Sequence, residues 1–148
     1  MFLFPYRDEN QTRSYPLVTL MFILANAILF VSTYWSGNFA AIIPQYGFIP
    51  GQVLIRPFGI FSSIFLHANI LHLIGNMWFL WLFGDNIEDM FGKLPFIMLY
   101  FLAGLTGNFV HGLATLFQSD IPVIGASGAV AGIMGSYLIR FPTAKIRC

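Results

Sequence analysis

Four apolar segments, at residues 17–35, 66–83, 95–117 and 127–141, approach the length that a lipid bilayer demands, roughly 20 residues at about 1.5 Å each. Hydrocarbon offers no partner for a peptide N–H or C=O, so a spanning segment must satisfy its own, and a helix does this internally. That requirement selects an all-α, polytopic membrane helical bundle. The composition agrees, with 57% of the 148 residues hydrophobic and only 9% charged, where soluble domains carry about a quarter. Seventeen phenylalanines are more than a soluble core of this size could hide. A net charge of +1 leaves no basic stripe for nucleic acid. The one cysteine, Cys148, excludes an internal disulfide framework.

Residues 1–16 read as a cytoplasmic N-terminal segment and 17–148 as a membrane domain. Arg7 and Arg13 ahead of an apolar run imitate a secretory signal, but 17–35 is longer than the usual h-region and lacks a small-x-small cleavage site. It reads as a retained first span. Residues 36–63, with Pro44, Pro50 and Pro57, form no ordinary solvated loop and are expected in the interface or against the helices. Four spans put both termini on one side. Arg7, Arg13, Lys93, Arg140, Lys145 and Arg147 then share that side and Arg56 lies opposite, so the termini and the stretch from Asp85 to Lys93 are expected in the cytoplasm.

Against this background the polar residues stand out, because polar groups at membrane depth are costly and are usually kept for a purpose. Ser127 opens the fourth segment in Gly125-Ala126-Ser127-Gly128, and the second carries His67, His72 and Asn76. Ser127 precedes Arg140 by 13 residues and His72 precedes Asp85 by 13, so both sit roughly 20 Å above the charged end. His72 and Asn76, four apart, share a helix face; His67 is expected to brace a loop instead. The combination fits acyl transfer. Ser127 is the candidate nucleophile, its amide lies at the positive end of a helix, and His72 and Asn76 are candidate donors to an oxyanion. The base is the role left open, since His111 falls several ångströms above the serine. Gly128, Gly132 and Gly135 predict close approach of another helix, expected from outside this chain.

Each piece has an ordinary explanation. Gly-x-Ser-Gly occurs in common turns, histidine or asparagine in a span often serves to hold helices together, and Asp85, Glu88 and Asp89 read as a solvated loop after a helix stopped at Gly84. The matched depth is what raises catalysis above these.

In these motifs the chain resembles the rhomboid family of intramembrane serine proteases: His67-x4-His72-x3-Asn76, the stretch from Gly84 to Gly92 containing Glu88, and Gly125-Ala126-Ser127-Gly128. The resemblance implies Ser127 as nucleophile, an oxyanion held by His72, Asn76 and the Ser127 amide, and supporting roles for His67, Gly125 and Gly128. It implies cleavage of single-pass transmembrane proteins in the bilayer, without metal or cofactor, in a plasma or inner membrane; oligomeric state stays open. The family core has six spans, with the catalytic histidine on the sixth facing the fourth. Four spans of an expected six are therefore read here, as a partial rhomboid-like domain that lacks its base and is nearly inactive alone. A pseudoprotease that binds membrane helices without cutting them is the alternative, and a channel or transporter fragment a third.

Overall fold

Among the residues the structure describes (7, 8, 10, 12–144, 146 and 147), a computed structural model, the chain is a helical bundle with one small ribbon at its termini. In order come β1 (Arg7–Asp8), α1 (Leu17–Trp35), α2 (Phe39–Tyr46), α3 (Gly59–Ser62), α4 (Ile70–Phe91), α5 (Lys93–Ala114), α6 (Ser127–Arg140) and β2 (Ile146–Arg147). The first apolar run folds as α1 over the residues expected. α1 and α5 are each long and apolar enough to cross a membrane. α3, its following turn and α4 meet that test only as a pair bent by 88° at their junction. The 14 residues of α6 rise roughly 21 Å, short of a hydrocarbon core of about 30 Å.

α6 packs against α5 and α4, and α1 lies against α4. Aromatic side chains fill the centre. Phe22 of α1 stacks on Tyr100 of α5 with centroids 3.9 Å apart, and Tyr137 of α6 is fully buried against Phe83 of α4 at 4.7 Å. The α5–α6 seam is built from small residues. A Cβ on Gly128 would come 3.3 Å from the Gly107 Cα, and one on Gly132 would overlap the Ala103 side chain. The helix partner expected from outside the chain is therefore α5 itself, for Gly128 and Gly132. Ala103, Gly104 and Gly107 supply a matching small face, which is why the axes can come so close. Gly135 differs, with nothing within 4 Å of its added Cβ.

The second segment does not stop at Gly84. α4 continues to Phe91, and the turn into α5 is made at Gly92, with φ +83°, a left-handed value that suits glycine. Gly84 is buried where α1 crosses, so that a Cβ there would meet the Thr19 methyl at 2.9 Å. One turn on, Glu88 is only 1% exposed and is no solvated loop residue. Its carboxylate accepts the Val18 amide at 2.9 Å, the Thr19 amide at 2.7 Å and the Thr19 hydroxyl at 2.9 Å. First-turn amides have no acceptor within their own helix, and Pro16 at the cap of α1 offers none. Glu88 supplies it from another helix, with its negative charge at the positive end of α1. Asp89 accepts the Arg13 and Ser14 amides at 3.0 and 2.8 Å. Pairing of Arg7 with Arg147 and of Asp8 with Ile146 brings the two terminal segments together at this end.

Residues 36–63 do lie against the helices, and they contain α2 and α3. Phe48 and Val123 exchange both backbone hydrogen bonds, at 3.0 and 2.7 Å, and Gly51 donates to the Ser119 carbonyl at 2.9 Å. The long connection is thus sewn to the loop ahead of α6.

Replacing Glu88 with alanine orphans two buried amides and should cost about 1.5–3 kcal/mol. Thermal unfolding in detergent should show a lowered midpoint, with Glu88→Gln falling between the two. An alanine variant as stable as the parent would mean that the carboxylate does not cap α1.

Candidate active site

Where α3 and its following turn give way to α4, the backbone breaks, and His67 lies in that break rather than on a helix. Asn69 then starts α4 by accepting the His72 amide on its side-chain oxygen at 2.9 Å, the usual Ncap arrangement. Since His67 is off the helix, helical spacing does not set its position relative to Asn76. Its ring is buried, 1% exposed, and Nε2 lies 3.1 Å from the Asn76 amide nitrogen. That amide donates when Nε2 carries no proton. His67, expected to brace a loop, lies in the loop and also meets the Asn76 side chain. His72, one turn before Asn76, meets the His67 ring edge-on with centroids 5.1 Å apart.

The opposite wall is the loop into α6. Gly125 has φ +127°, which L-residues with a side chain adopt only under strain. A Cβ there would come 2.6 Å from His72 Cε1, 2.7 Å from Nε2 and 3.8 Å from the Asn76 amide nitrogen. The imidazole and the carboxamide therefore converge on the bare α-carbon two residues before Ser127. The space that these glycines leave is filled from within, by His72 at Gly125 and by α5 at Gly128.

Ser127 is the first residue of α6 and is exposed. Among the described residues its hydroxyl has no hydrogen-bond partner. The amides of Ser127, Gly128 and Ala129 lie in the first turn and have no acceptor within α6. His111 is exposed on α5, one turn beyond the Gly107 that meets Gly128, in keeping with its expected height above the serine. Among the described residues no three His, Cys, Asp or Glu side chains gather as metal ligands.

Two contributors escaped the sequence reading. Gly125 donates its amide to the Ser63 carbonyl at 2.9 Å. The Ser63 hydroxyl in turn receives the Asn108 side-chain amide at 2.9 Å, and the same amide reaches the Ile60 carbonyl at 2.8 Å. Asn108 of α5 thus pins the break and, through it, the loop at Gly125. The available signal was a carboxamide inside an apolar span.

The Rhomboid domain family profile matches residues 52–148, about two-thirds of the chain and including every residue of this cluster. The chain belongs to the rhomboid family. It is similar to the "Putative rhomboid protease YdcA" of Bacillus subtilis (strain 168), 35% identical over 140 residues, which cover 89% of this chain and 67% of that one. "Rhomboid protease GluP" of the same organism is 39% identical over 77 residues, 52% of this chain and 14% of its own length. "RHOMBOID-like protein 6, mitochondrial" of Arabidopsis thaliana is 35% identical over 82 residues, 55% of this chain and 26% of its own. Against these last two rhomboids the match spans only about a seventh to a quarter of their length.

Alanine at Gly125 would strike the His72 ring and strain its own backbone, which should cost about 1–3 kcal/mol. Gly75, mid-helix with nothing within 4 Å of an added Cβ, is the control, since alanine there should stabilise by about 1 kcal/mol. Unfolding midpoints in detergent should move in opposite directions for the two variants. A Gly125→Ala protein with an unchanged midpoint would contradict the close seat of His72.

Proposed function

We propose that this rhomboid is an intramembrane serine endopeptidase acting on peptide bonds of single-pass transmembrane proteins. The observation that carries the reading is the seat at Gly125, which draws the His72 imidazole and the Asn76 amide to the junction that ends in Ser127. The Ser127 hydroxyl oxygen attacks the scissile carbonyl and forms the C–O bond. The oxyanion so created is met by the Ser127 amide at the positive end of α6, by a ring N–H of His72 and by Asn76. One Asn76 N–H is held by His67, which fixes the amide and leaves the second for substrate. The C–N bond then breaks, the amine leaves with the proton taken from serine, and water hydrolyses the acyl-enzyme.

The base belongs to a histidine on a further helix, as the family resemblance implies. One face of α6 is free to receive that helix. Ser127, Ala131 and Leu138 are exposed on it, and Gly135 opens onto empty space. The small Ser127, Ala131 and Gly135 would let a helix approach closely. Orientation follows from charge: Arg13, Lys93 and Arg140 gather with the termini at one end, and Arg56 lies in the connection beyond the other. We assign the basic end to the cytoplasm of a plasma or inner membrane.

A second reading is a rhomboid-like protein that holds membrane helices without cutting them, in which the exposed face of α6 around Ser127 would receive the bound helix. A fluorophosphonate probe separates the two on the full-length protein in its membrane. The peptidase should label at one serine, and Ser127→Ala should abolish the labelling. Asn76→Ala should slow cleavage of a transmembrane substrate by about 10²–10³. Labelling that persists in the Ser127 variant would remove the nucleophile assignment, and a wild-type protein that never labels would favour the non-cleaving reading.

A further inference from the structure

At the basic end, away from Ser127, two cavities adjoin. One, of about 490 Å³, opens between the N-terminal segment and the last turns of α4 and α6, with Arg13 and Arg140 on its walls beside Asn86 and Asp89. The other, of about 430 Å³, runs along α4 and α6 past Phe91, Ser136 and Ile139. Met90 and Arg140 line both. The first is mainly polar and the second mainly apolar.

Asp89, the carboxylate in the first cavity, already takes two backbone amides and the Ser14 hydroxyl. Arg140 lines both cavities and donates Nε to the Met90 sulfur at 3.0 Å, a weak acceptor, and its other N–H groups have no partner among the described residues. Among the described residues neither arginine has a carboxylate within 4.0 Å, although Arg13 acts on Asp89 through its charge from beyond that distance. Two guanidinium groups with donors to spare suit a phosphate, which they can bind in bidentate fashion. The apolar trough beside Arg140, with Ile139 86% exposed, suits hydrocarbon.

We propose that these adjoining cavities form a binding site for an anionic phospholipid, its phosphate between Arg13 and Arg140 and an acyl chain along Phe91 and Ile139. The trough is what selects a lipid over a soluble phosphate, because a free anion gains nothing from it. The N-terminal segment contributes Arg13 while Ser14 and Arg13 also hold Asp89, so the lipid would bridge that segment to the end of α6.

Native mass spectrometry of the full-length protein in detergent, titrated with phosphatidylglycerol, phosphatidylcholine or inorganic phosphate, tests the site. Phosphatidylglycerol should bind about tenfold more tightly than phosphatidylcholine. The double variant Arg13→Gln and Arg140→Gln should lose that preference, and Lys93→Gln, at the same end but outside the cleft, should retain it. Ile139→Asn should weaken the lipid without affecting inorganic phosphate. An unaltered preference in the double variant overturns the proposal. So does displacement of the lipid by inorganic phosphate at equal concentration, which would make the ligand a soluble anion. If the double variant does not fold, Arg140→Gln alone carries the same comparison, since its guanidinium bonds only the Met90 sulfur among the described residues.

Discussion

The meeting of Gly107 with Gly128 and of Ala103 with Gly132 is the contact on which the architecture turns. In lipid no hydrophobic driving force pulls two apolar helices together, so they associate by packing and by hydrogen bonding, and only small residues allow backbones this close. α6 is too short to cross on its own and takes its position from α5. Held there, its N-terminus begins partway down the bundle rather than at the surface. A helix that starts at depth needs a loop that descends to it, and that loop cannot leave its peptide groups bare. The structure meets the demand by pairing Val123 with Phe48, Ser119 with Gly51 and Gly125 with Ser63. The irregular connection after α1 is therefore the hydrogen-bonding partner of the loop carrying the serine.

Polar side chains in this apolar chain divide by what they touch. Asn108 and Ser63 bind backbone and each other, and Glu88 binds the start of α1. These groups answer obligations created by helix ends and breaks. His72 and Asn76 differ, because they converge across the break onto Gly125. The positive φ at Gly125 is supported from two sides, by the Ser63 carbonyl and by the ring of His72 that occupies the place of a side chain. Glycine adopts that conformation without strain, and the two contacts fix it among the many open to a glycine.

Much of this was legible from residue order. The limits of α1, the start of α6 at Ser127 and the shared face of His72 and Asn76 follow from hydropathy and from the 3.6-residue period. Three features were not. Gly84-Asp85 looks like a stop, yet α4 runs through it because Gly84 gives room to Thr19 and Glu88 finds the bare amides of α1; both facts belong to α1. The contact of His67 with Asn76 was not foreseen, because helical spacing carries no information across the break in which His67 lies. The partner of Gly128 and Gly132 was sought outside the chain because Ala103, Gly104 and Gly107 look like ordinary span residues until they are set opposite. In each case the deciding neighbour is distant in sequence, and periodicity within one segment carries no information about it.

The two ends of α4 do different work, and the helix is what keeps them apart. Its first turns carry His72 and Asn76, and its last carry Glu88 and Asp89, with roughly 24 Å of helical rise between His72 and Glu88. The acidic pair clamps α1 and the N-terminal segment by charge-assisted hydrogen bonds, which in a chain with so few charges concentrate electrostatic stabilisation at the basic end. The opposite end relies on neutral bonds and on a ring resting against a glycine. Disturbing the clamp loosens how α1 is held without touching the seat at Gly125, whereas a methyl group at Gly125 acts on the seat directly. Stability and site geometry are thereby lodged in separate contacts of one helix.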